Sequence, residues 1–236
     1  PGQILVEVYA ASLNPFDLLI LSGARKEKFP ISLPSSIGGD FSGVIKETGE
    51  EVYGQVLAVQ GNSGSLAQYL SVNKEKIAQK PKTASFEEAA ALPLVGSSII
   101  QALEDTIKLQ SGQKILIRGG AGGIGHVAIQ LAKTLGSYVA TTVNTDDVEF
   151  AKGLGADEVI DYKTQKIEEI LKDYDAVFDT AGGETSDTSF QILKKGGILV
   201  SMVGQPDLEL AEKHGVIALA QGTKVDTDKL TRLAKY

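Results

Sequence analysis

Lys114-Ile-Leu-Ile-Arg118-Gly119-Gly120-Ala121-Gly122-Gly123-Ile124-Gly125-His126 is the stretch on which the fold turns. An apolar, β-branched run stops at glycines, and residues 127–135 continue as an Ala/Leu/Gln/Lys-rich helical pattern. Gly120 to Gly125 matches G-x-G-x-x-G, a dinucleotide fingerprint when a strand precedes it and a helix follows. The first glycine allows the tight turn, the second lets the backbone approach a pyrophosphate, and the third packs helix against strand. The unpaired N–H groups and positive dipole end of the new helix then receive the anion. The alternative is a structural glycine-rich turn in some other α/β fold.

Downstream, the pattern alternates. Strands are expected at 114–118, 138–143, 158–160, 176–179 and 198–203, with a possible sixth at 216–220. Helices fit 124–135, 147–154, 166–172, 185–193 and 227–234. Such alternation implies a parallel, doubly wound sheet, with ligands beyond the strands' carboxyl ends at the switch point. Upstream the chain reads as β, with strands at 4–9, 41–47, 52–59 and 66–72 separated by Gly/Ser/Asn/Pro clusters at 34–39 and 61–64. Ser85 and Glu88 have capping-box spacing and open a helix through Ala91. Pro93 and Gly96 then punctuate the passage to a second helix at 97–106.

A length of 236 residues suits two modest domains, placed at 1–96 and 97–236. A net charge of −7 argues against a surface that binds a phosphate backbone, and no nucleic-acid partner is expected. The absence of cysteine excludes disulfides and thiolate metal sites and fits a reducing, cytoplasmic compartment. The longest apolar stretch, 89–103, is broken by Pro93, Gly96, Ser97 and Ser98 and is too short to span a bilayer, so no membrane partner is expected. The single methionine is Met202, so Pro1 is not a translation start and the chain reads as a fragment of a longer protein.

Motifs spread in order along almost the whole chain carry a family resemblance. They are Ala11-Ser-Leu-Asn-Pro-Phe-Asp17, Ile37-Gly-Gly-Asp-Phe-Ser-Gly43, Glu51-Val-Tyr-Gly54 and Glu88-Ala-Ala-Ala-Leu-Pro-Leu-Val-Gly96. Gly119 to Gly125, Leu154-Gly-Ala-Asp-Glu-Val-Ile-Asp-Tyr162, Phe178-Asp-Thr-Ala-Gly-Gly183 and Gly196-Gly-Ile-Leu-Val-Ser201 follow. The ordered set resembles the medium-chain dehydrogenase/reductase superfamily, in its zinc-independent quinone oxidoreductase (zeta-crystallin-like) branch. That resemblance implies an α/β fold: a Rossmann-type doubly wound sheet plus a β-rich GroES-like catalytic domain, with the active site in the cleft between them. Two departures stand out. Thr48-Gly49 lies where the family carries a longer hairpin, and is either a tight turn or a join. The family's return to the catalytic domain after a helix like 227–236 is missing.

Zinc-using members of the superfamily have a Gly-His-Glu type motif where this chain has Gly38-Gly39-Asp40, and its two histidines, His126 and His214, are distant in sequence. A zinc centre needs three or four convergent ligands, so no metal is expected. Hydride transfer from a nicotinamide to an electrophile that needs little activation then fits, and quinones and α,β-unsaturated carbonyls spread the developing charge by conjugation. By resemblance, Asn14 and Asp17 line the nicotinamide side as catalytic residues, and Ser98 stands near the cofactor. Asn14-Pro15 also reads as a plain turn. Relatives place a tyrosine shortly after this element; here Leu18-Leu19-Ile20-Leu21 follows, which makes water the proton source and leaves Tyr53 a remote candidate, better read as a packed strand residue.

The acidic position of NAD-type relatives falls on Thr142, beside Asn144, and Tyr162 and Lys163 match a segment that NADP-using relatives place near the 2′-phosphate. NADP(H) is therefore favoured over NAD(H), although Asp146 lies at the distance of an NAD ribose ligand and Asp147 stands where many NADP-using relatives carry Lys; both read better as helix-capping residues. Thr180, Ser201, Val203 and Gly204 follow the fourth and fifth strands of the second domain and complete the cofactor-binding set. Two competing functions stand beside the quinone or enone reductase: a catalytically silent nucleotide-binding protein (crystallin-like or RNA-binding), and an enoyl-thioester reductase. The last needs a basic entrance, and the only basic cluster, Arg25-Lys26-Glu27-Lys28, reads as a solvated loop. A homodimer is common in the family, and nothing in the sequence locates its interface.

Overall fold

Alternation of apolar and polar residues builds the first sheet. In β1 (Gln3–Ala11), Val6 points inward with Ile4 and Val8, and meets Phe41 and Ile45 of β2 (Asp40–Ile45) and Val52 of β3 (Glu51–Gln55). Leu70 and Val72 of β4 (Tyr69–Asn73) and Ile77 of β5 (Ile77–Gln79) close this core. The five strands run antiparallel in the order β4-β1-β2-β3-β5. Thr48-Gly49 makes a tight hairpin between β2 and β3, with Gly49 N–H bonded to the Ile45 carbonyl at 2.8 Å. The structure is a computed structural model and describes residues 2–60, 64–183 and 186–236. The turn expected at 61–64 and the start of the helix expected at 185 thus fall partly outside the described residues.

Three helices follow from local chemistry in this region. Asn14-Pro15-Phe16-Asp17 opens α1 (Pro15–Leu21), with Asn14 as N-cap, proline in the first turn and the Asp17 carboxylate accepting the Asn14 N–H at 2.7 Å. The expected capping box forms at α2 (Phe86–Ala90): Glu88 N–H donates to Ser85 Oγ at 3.1 Å, and Ser85 N–H to Glu88 Oε2 at 2.8 Å. Pro93 and Gly96 do not separate helices. Pro93 is the first residue of α3 (Pro93–Ile99), which runs on into a π-helical stretch, Ile100–Thr106. Proline is tolerated there because the first helical N–H has no partner to lose.

The second sheet carries the alternation read from the sequence. Its strands are β6 (Lys114–Arg118), β7 (Tyr138–Val143), β8 (Glu158–Asp161), β9 (Tyr174–Asp179), β10 (Leu193–Ser201) and β11 (Ile217–Ala220). All pair in parallel, in the order β11-β10-β9-β6-β7-β8. The strand order reverses between β6 and β9, which puts the switch point at their carboxyl ends. Ile115, Leu116 and Ile117 are fully buried, as strands covered on both faces require. The connecting helices are α4 (Gly125–Thr134), α5 (Val148–Gly153), α6 (Ile167–Ile170), α7 (Ser189–Ile192) and α8 (Leu208–His214). In α4, Ala128, Ile129, Leu131 and Ala132 form the buried face. Sequence reading did not anticipate α8; its N-cap is Asp207, whose Oδ1 accepts the Leu210 N–H at 2.9 Å.

The boundary expected at 96/97 needs correction at the far end. Contacts divide the chain into Pro1–Ser98 with Lys224–Tyr236, and Ile99–Thr223. The last helix, α9 (Thr227–Leu233), therefore belongs to the first unit, not to the Rossmann unit, and the chain does come back to the β-rich unit within its own length. Burial drives this. Tyr53, Ala78, Ala89, Val225 and Leu230 form one core, and the Tyr53 hydroxyl donates to the Leu230 carbonyl at 2.6 Å. Thr227 Oγ1 donates to the Ile77 carbonyl at 2.7 Å, and Lys76 Nζ to the Val225 carbonyl at 2.8 Å. Gly96 is needed on α3 because a Cβ there would overlap the Leu233 side chain. Among the described residues no helix is long and apolar enough to cross a membrane.

Candidate active site

The glycine turn between β6 and α4 has tight ends and an open middle. A Cβ on Gly120 would overlap the Thr141 hydroxyl and lie 3.0 Å from Ile129 Cδ1. A Cβ on Gly125 would overlap the Gly119 carbonyl oxygen, with Gly119 C at 2.8 Å and Gly120 Cα at 2.9 Å. Gly123, by contrast, has nothing within 4 Å of its Cβ position, and Gly122 and Gly123 are exposed while Ala121 and Ile124 are half-buried. Backbone thus approaches backbone where strand meets helix, and bare peptide faces outward at the start of α4. The first N–H groups of a helix have no partner within it and carry its positive end. This cradle fits a diphosphate. His126 follows it, with Nδ1 2.9 Å from the Gly122 carbonyl oxygen.

The ends of β7 and β8 form one wall beside the turn. Thr142 is buried, and its Oγ1 accepts the Gly119 N–H at 3.2 Å, so this side chain helps to hold the glycine turn. Asn144 Oδ1 accepts the Asp146 N–H at 2.8 Å, and its Nδ2 donates to the Asp147 carboxylate. Asp147 occupies the N-cap position of α5 without a side-chain cap bond, so the capping reading holds by place but not by contact. Asp161 ties β8 to this loop: its Oδ2 accepts the Thr145 hydroxyl at 2.7 Å and its Oδ1 the Lys163 N–H at 2.9 Å. The Thr145 hydrogen bond, followed by that amide, holds the Asp161 carboxyl below its ordinary value. Tyr162 is 60% exposed and Lys163 is also exposed, which leaves a phenol and an ammonium open beside the loop.

On the other side of the switch point, Asp179 organises the loop after β9. Its Oδ1 accepts the N–H groups of Ala181 and Gly182 at 3.1 and 3.0 Å, and its Oδ2 accepts the Ser186 hydroxyl at 2.8 Å. Arg118 Nη1 donates to the same carboxylate at 3.3 Å, both side chains being buried. Thr180 Oγ1 donates to the Arg118 carbonyl at 2.6 Å. Ser201 is buried at the end of β10, where its Oγ accepts the Val203 N–H at 3.2 Å; Val203 and Gly204 are exposed. A Cβ on Gly182 would stand 3.0 Å from Val203 Cγ2, so the loops after β9 and β10 touch. The structure therefore gathers the residues expected from 120 to 204 at the carboxyl edge of one sheet. His214 ends α8 with its ring against Phe190, in keeping with a packing role.

The expected catalytic pair lies in the first unit. Asn14 and Asp17 are joined through the cap of α1, and Asp17 is itself buried. Burial raises the Asp17 carboxyl above its usual value, against the Asn14 N–H that lowers it. Asn14 Nδ2 donates at 3.0 Å to Asp40 Oδ2, a carboxylate that the sequence reading took only as a departure from zinc-site motifs. Leu94 N–H reaches the same oxygen at 3.0 Å, and Gln55 Nε2 reaches Asp40 Oδ1 at 2.9 Å. The available signal was an acid directly before the strand expected at 41–47. Ser98 is fully buried, and its hydroxyl donates to the Leu94 carbonyl at 2.7 Å on α3. Tyr53 is packed as expected: burial pushes its phenol far up, and its hydroxyl is spent on Leu230. Residues 25–28 are exposed, as read.

Among the described residues, no group of three or more His, Cys, Asp or Glu side chains is arranged to hold a metal. Residues 1–82 match the family described as alcohol dehydrogenase GroES-like domain, and residues 123–224 the family described as zinc-binding dehydrogenase. An NADPH-dependent alkenal/one oxidoreductase of Arabidopsis thaliana is 38% identical over 220 residues, which is 86% of this chain and 55% of that protein. The chain thus spans about half the length of that relative. A chloroplastic quinone-oxidoreductase homolog of Spinacia oleracea is 34% identical over 220 residues, 86% of this chain and 67% of its own. The solved quinone oxidoreductase of Coxiella burnetii superposes with a TM-score of 0.86 at 33% identity, over 99% of this chain and 78% of that one. On these matches, and on the paired GroES-like and Rossmann-type units, the chain belongs to the medium-chain dehydrogenase/reductase superfamily, in its quinone oxidoreductase branch.

Proposed function

We propose that this chain belongs to an NADPH-dependent oxidoreductase that reduces quinones or α,β-unsaturated carbonyl compounds without a metal. The observation that carries this reading is the glycine turn before α4, closed at Gly120 and Gly125, exposed at Gly122 and Gly123, and with open space beside Gly123. Its amides would hold the diphosphate of a pyridine dinucleotide, and a bound reduced nicotinamide supplies the hydride. Thr142, Asn144, Tyr162 and Lys163 would receive the adenosine end, where the Lys163 ammonium favours a 2′-phosphate while Asp161 turns its charge to Thr145 and the Lys163 amide. Thr180, Ser201, Val203 and Gly204 would border the nicotinamide half. Asn14 would line the nicotinamide side at the reacting end with its side-chain carbonyl oxygen, its nitrogen being held by Asp40, and Asp17 would hold Asn14 through its backbone N–H. The cysteine-free composition, with two histidines far apart in sequence, supports a metal-free reaction and suits a reducing compartment such as the cytoplasm.

The names of the relatives point the same way: one is an NADPH-dependent alkenal/one oxidoreductase and one a quinone-oxidoreductase homolog. The test is oxidation of NADPH and of NADH by the full-length protein with a panel of quinones, enals and enones, beside a fluorescence titration of each cofactor. Turnover on at least one class, with NADPH preferred, is expected. Tight cofactor binding without turnover on any of them overturns the catalytic reading, and binding of neither dinucleotide overturns the cofactor assignment as well.

A further inference from the structure

We propose that Asp40 is the positioning residue for Asn14: its buried carboxylate, clamped by Gln55 and by the start of α3, fixes the direction in which the Asn14 amide faces. This rests on the reading of Asn14 as a site residue, and it adds how that residue is held. Asp40 is fully buried on β2, and its oxygens meet three donors: Asn14 Nδ2 at 3.0 Å, Leu94 N at 3.0 Å and Gln55 Nε2 at 2.9 Å. An asparagine side chain presents a nitrogen and an oxygen of nearly equal size, so packing alone does not decide which way round it sits. An ionised carboxylate only accepts hydrogen bonds. Facing one, Asn14 must turn its nitrogen inward, which leaves its carbonyl oxygen on the side away from Asp40.

The other two donors keep the carboxylate itself from turning. Gln55 holds one oxygen from β3, and Leu94 N–H shares the second oxygen with Asn14 from the first turn of α3, where the helix favours an anion. The groups facing Asp40 are therefore Asn14 and Asp17 from the start of α1, Gln55 from β3 and the Leu94 amide from α3, and Asp17 is the one charge among them. Burial lifts the Asp40 carboxyl to about 6, opposed by the Leu94, Gln55 and Asn14 hydrogen bonds and assisted by the Asp17 charge. A proton on Asp40 would take the lone-pair site that the three donors leave and remove the charge that strengthens their hydrogen bonds. The clamp on Asn14 is thus strongest with Asp40 ionised and is weakened below that value.

The test follows the side-chain amide of Asn14 by nitrogen-15 NMR on the uniformly labelled full chain, from about pH 5 to about pH 8. In the wild type, both amide protons of Asn14 are expected to shift with a midpoint near 6, shared by the Gln55 amide. Gln55→Met, which removes one donor, is expected to raise that midpoint. Asp40→Asn is expected to abolish the transition, to lower kcat with NADPH and a 1,4-naphthoquinone by about tenfold or more, and to leave the Kd for NADPH within about threefold. It should also erase the acid limb of the kcat profile, and add nothing further in an Asn14→Ala background. An Asn14 amide that stays unmoved across the range, or that shifts identically in Asp40→Asn, overturns the proposal. Additive losses in the double variant overturn it too. If Asp40→Asn does not fold, the wild-type and Gln55→Met titrations decide. If the wild type reduces no quinone or enone, the functional reading fails, and the NMR titration still decides the positioning role.

Discussion

Replacing Gly125 and, separately, Gly123 by alanine splits the two tasks of the glycine turn. At Gly125 the new methyl overlaps the Gly119 carbonyl oxygen and stands 2.8 and 2.9 Å from two further backbone atoms. None of these can rotate away, so α4 must slide off the turn. Overpacking of this kind costs about 1–3 kcal/mol, partly offset by about 0.5–1 kcal/mol of helix propensity. The net loss is about 1 kcal/mol, and at roughly 3–6 °C per kcal/mol for a unit of this size melting should fall by about 3–6 °C. At Gly123 the methyl meets nothing within 4 Å, so the apoprotein should hold its stability or gain about 0.4–1 kcal/mol through the unfolded state. The same methyl would stand where the diphosphate approaches bare backbone, and the Kd for NADPH should rise at least tenfold, about 1.4 kcal/mol. Thermal circular dichroism of the apoproteins and fluorescence titration with NADPH read the two effects independently. Gly123→Ala binding NADPH as tightly as the wild type would refute the placement of the diphosphate. An unchanged melting point for Gly125→Ala would refute the close approach.

Four further outcomes follow from the same contacts. Leu230→Ala should lower stability in urea titration by about 2–5 kcal/mol, since Leu230 is fully buried in the core shared with Tyr53. Asp179→Ala breaks the buried bond to Arg118 and strips the Ala181 and Gly182 amides of their acceptor, a loss of about 3–5 kcal/mol in the same assay. Lys163→Glu should reduce the ratio of kcat/KM for NADPH over NADH by about tenfold; an unchanged ratio would remove Lys163 from the adenosine site. The raised carboxyl of Asp40 makes a stability contribution with a definite sign: between 3.8 and about 6 the folded state binds the extra proton, so this contribution falls as pH rises through that window. Melting temperatures of Asp40→Asn should therefore decline less steeply than those of the wild type over that interval.

Much of the Rossmann unit is legible because its signals are local. Runs such as Ile115-Leu-Ile117 are apolar on both faces, and each is followed within a few residues by glycine or a cap, so type and order can be read without tertiary information. Two misses have physical causes. Asn14-Pro15-Phe16-Asp17 reads as a turn because proline after asparagine favours one, yet the same residues are an N-cap, a first-turn proline and an acid that returns to the cap. The helix at 227–233 looks like one more crossover helix in a βαβα series. What removes it from the series is the burial of Val225 and Leu230 against Tyr53, a partner 177 residues away from Leu230. No window of sequence contains both halves of that core.

The site divides along the same line. The residues expected at the edge of the parallel sheet arrive there because strand ends in a doubly wound fold converge regardless of the side chains they carry. Asn14 is different: its role depends on what faces it. Compared with zinc-site motifs, Gly38-Gly39-Asp40 is a set of missing ligands. In the fold, Asp40 is an acceptor placed where an amide side chain, a glutamine and a helix start all present N–H groups. Burying a carboxylate is costly unless its oxygens are filled by donors, and here the donors come from three separate elements. The cost of that burial is offset in part by contacts which also orient Asn14 and seat α3, the helix that carries Ser98. A neutral residue at position 40 would keep the strand and lose the direction. That is why the residue least explained by motif comparison is the one on which the geometry of Asn14 depends.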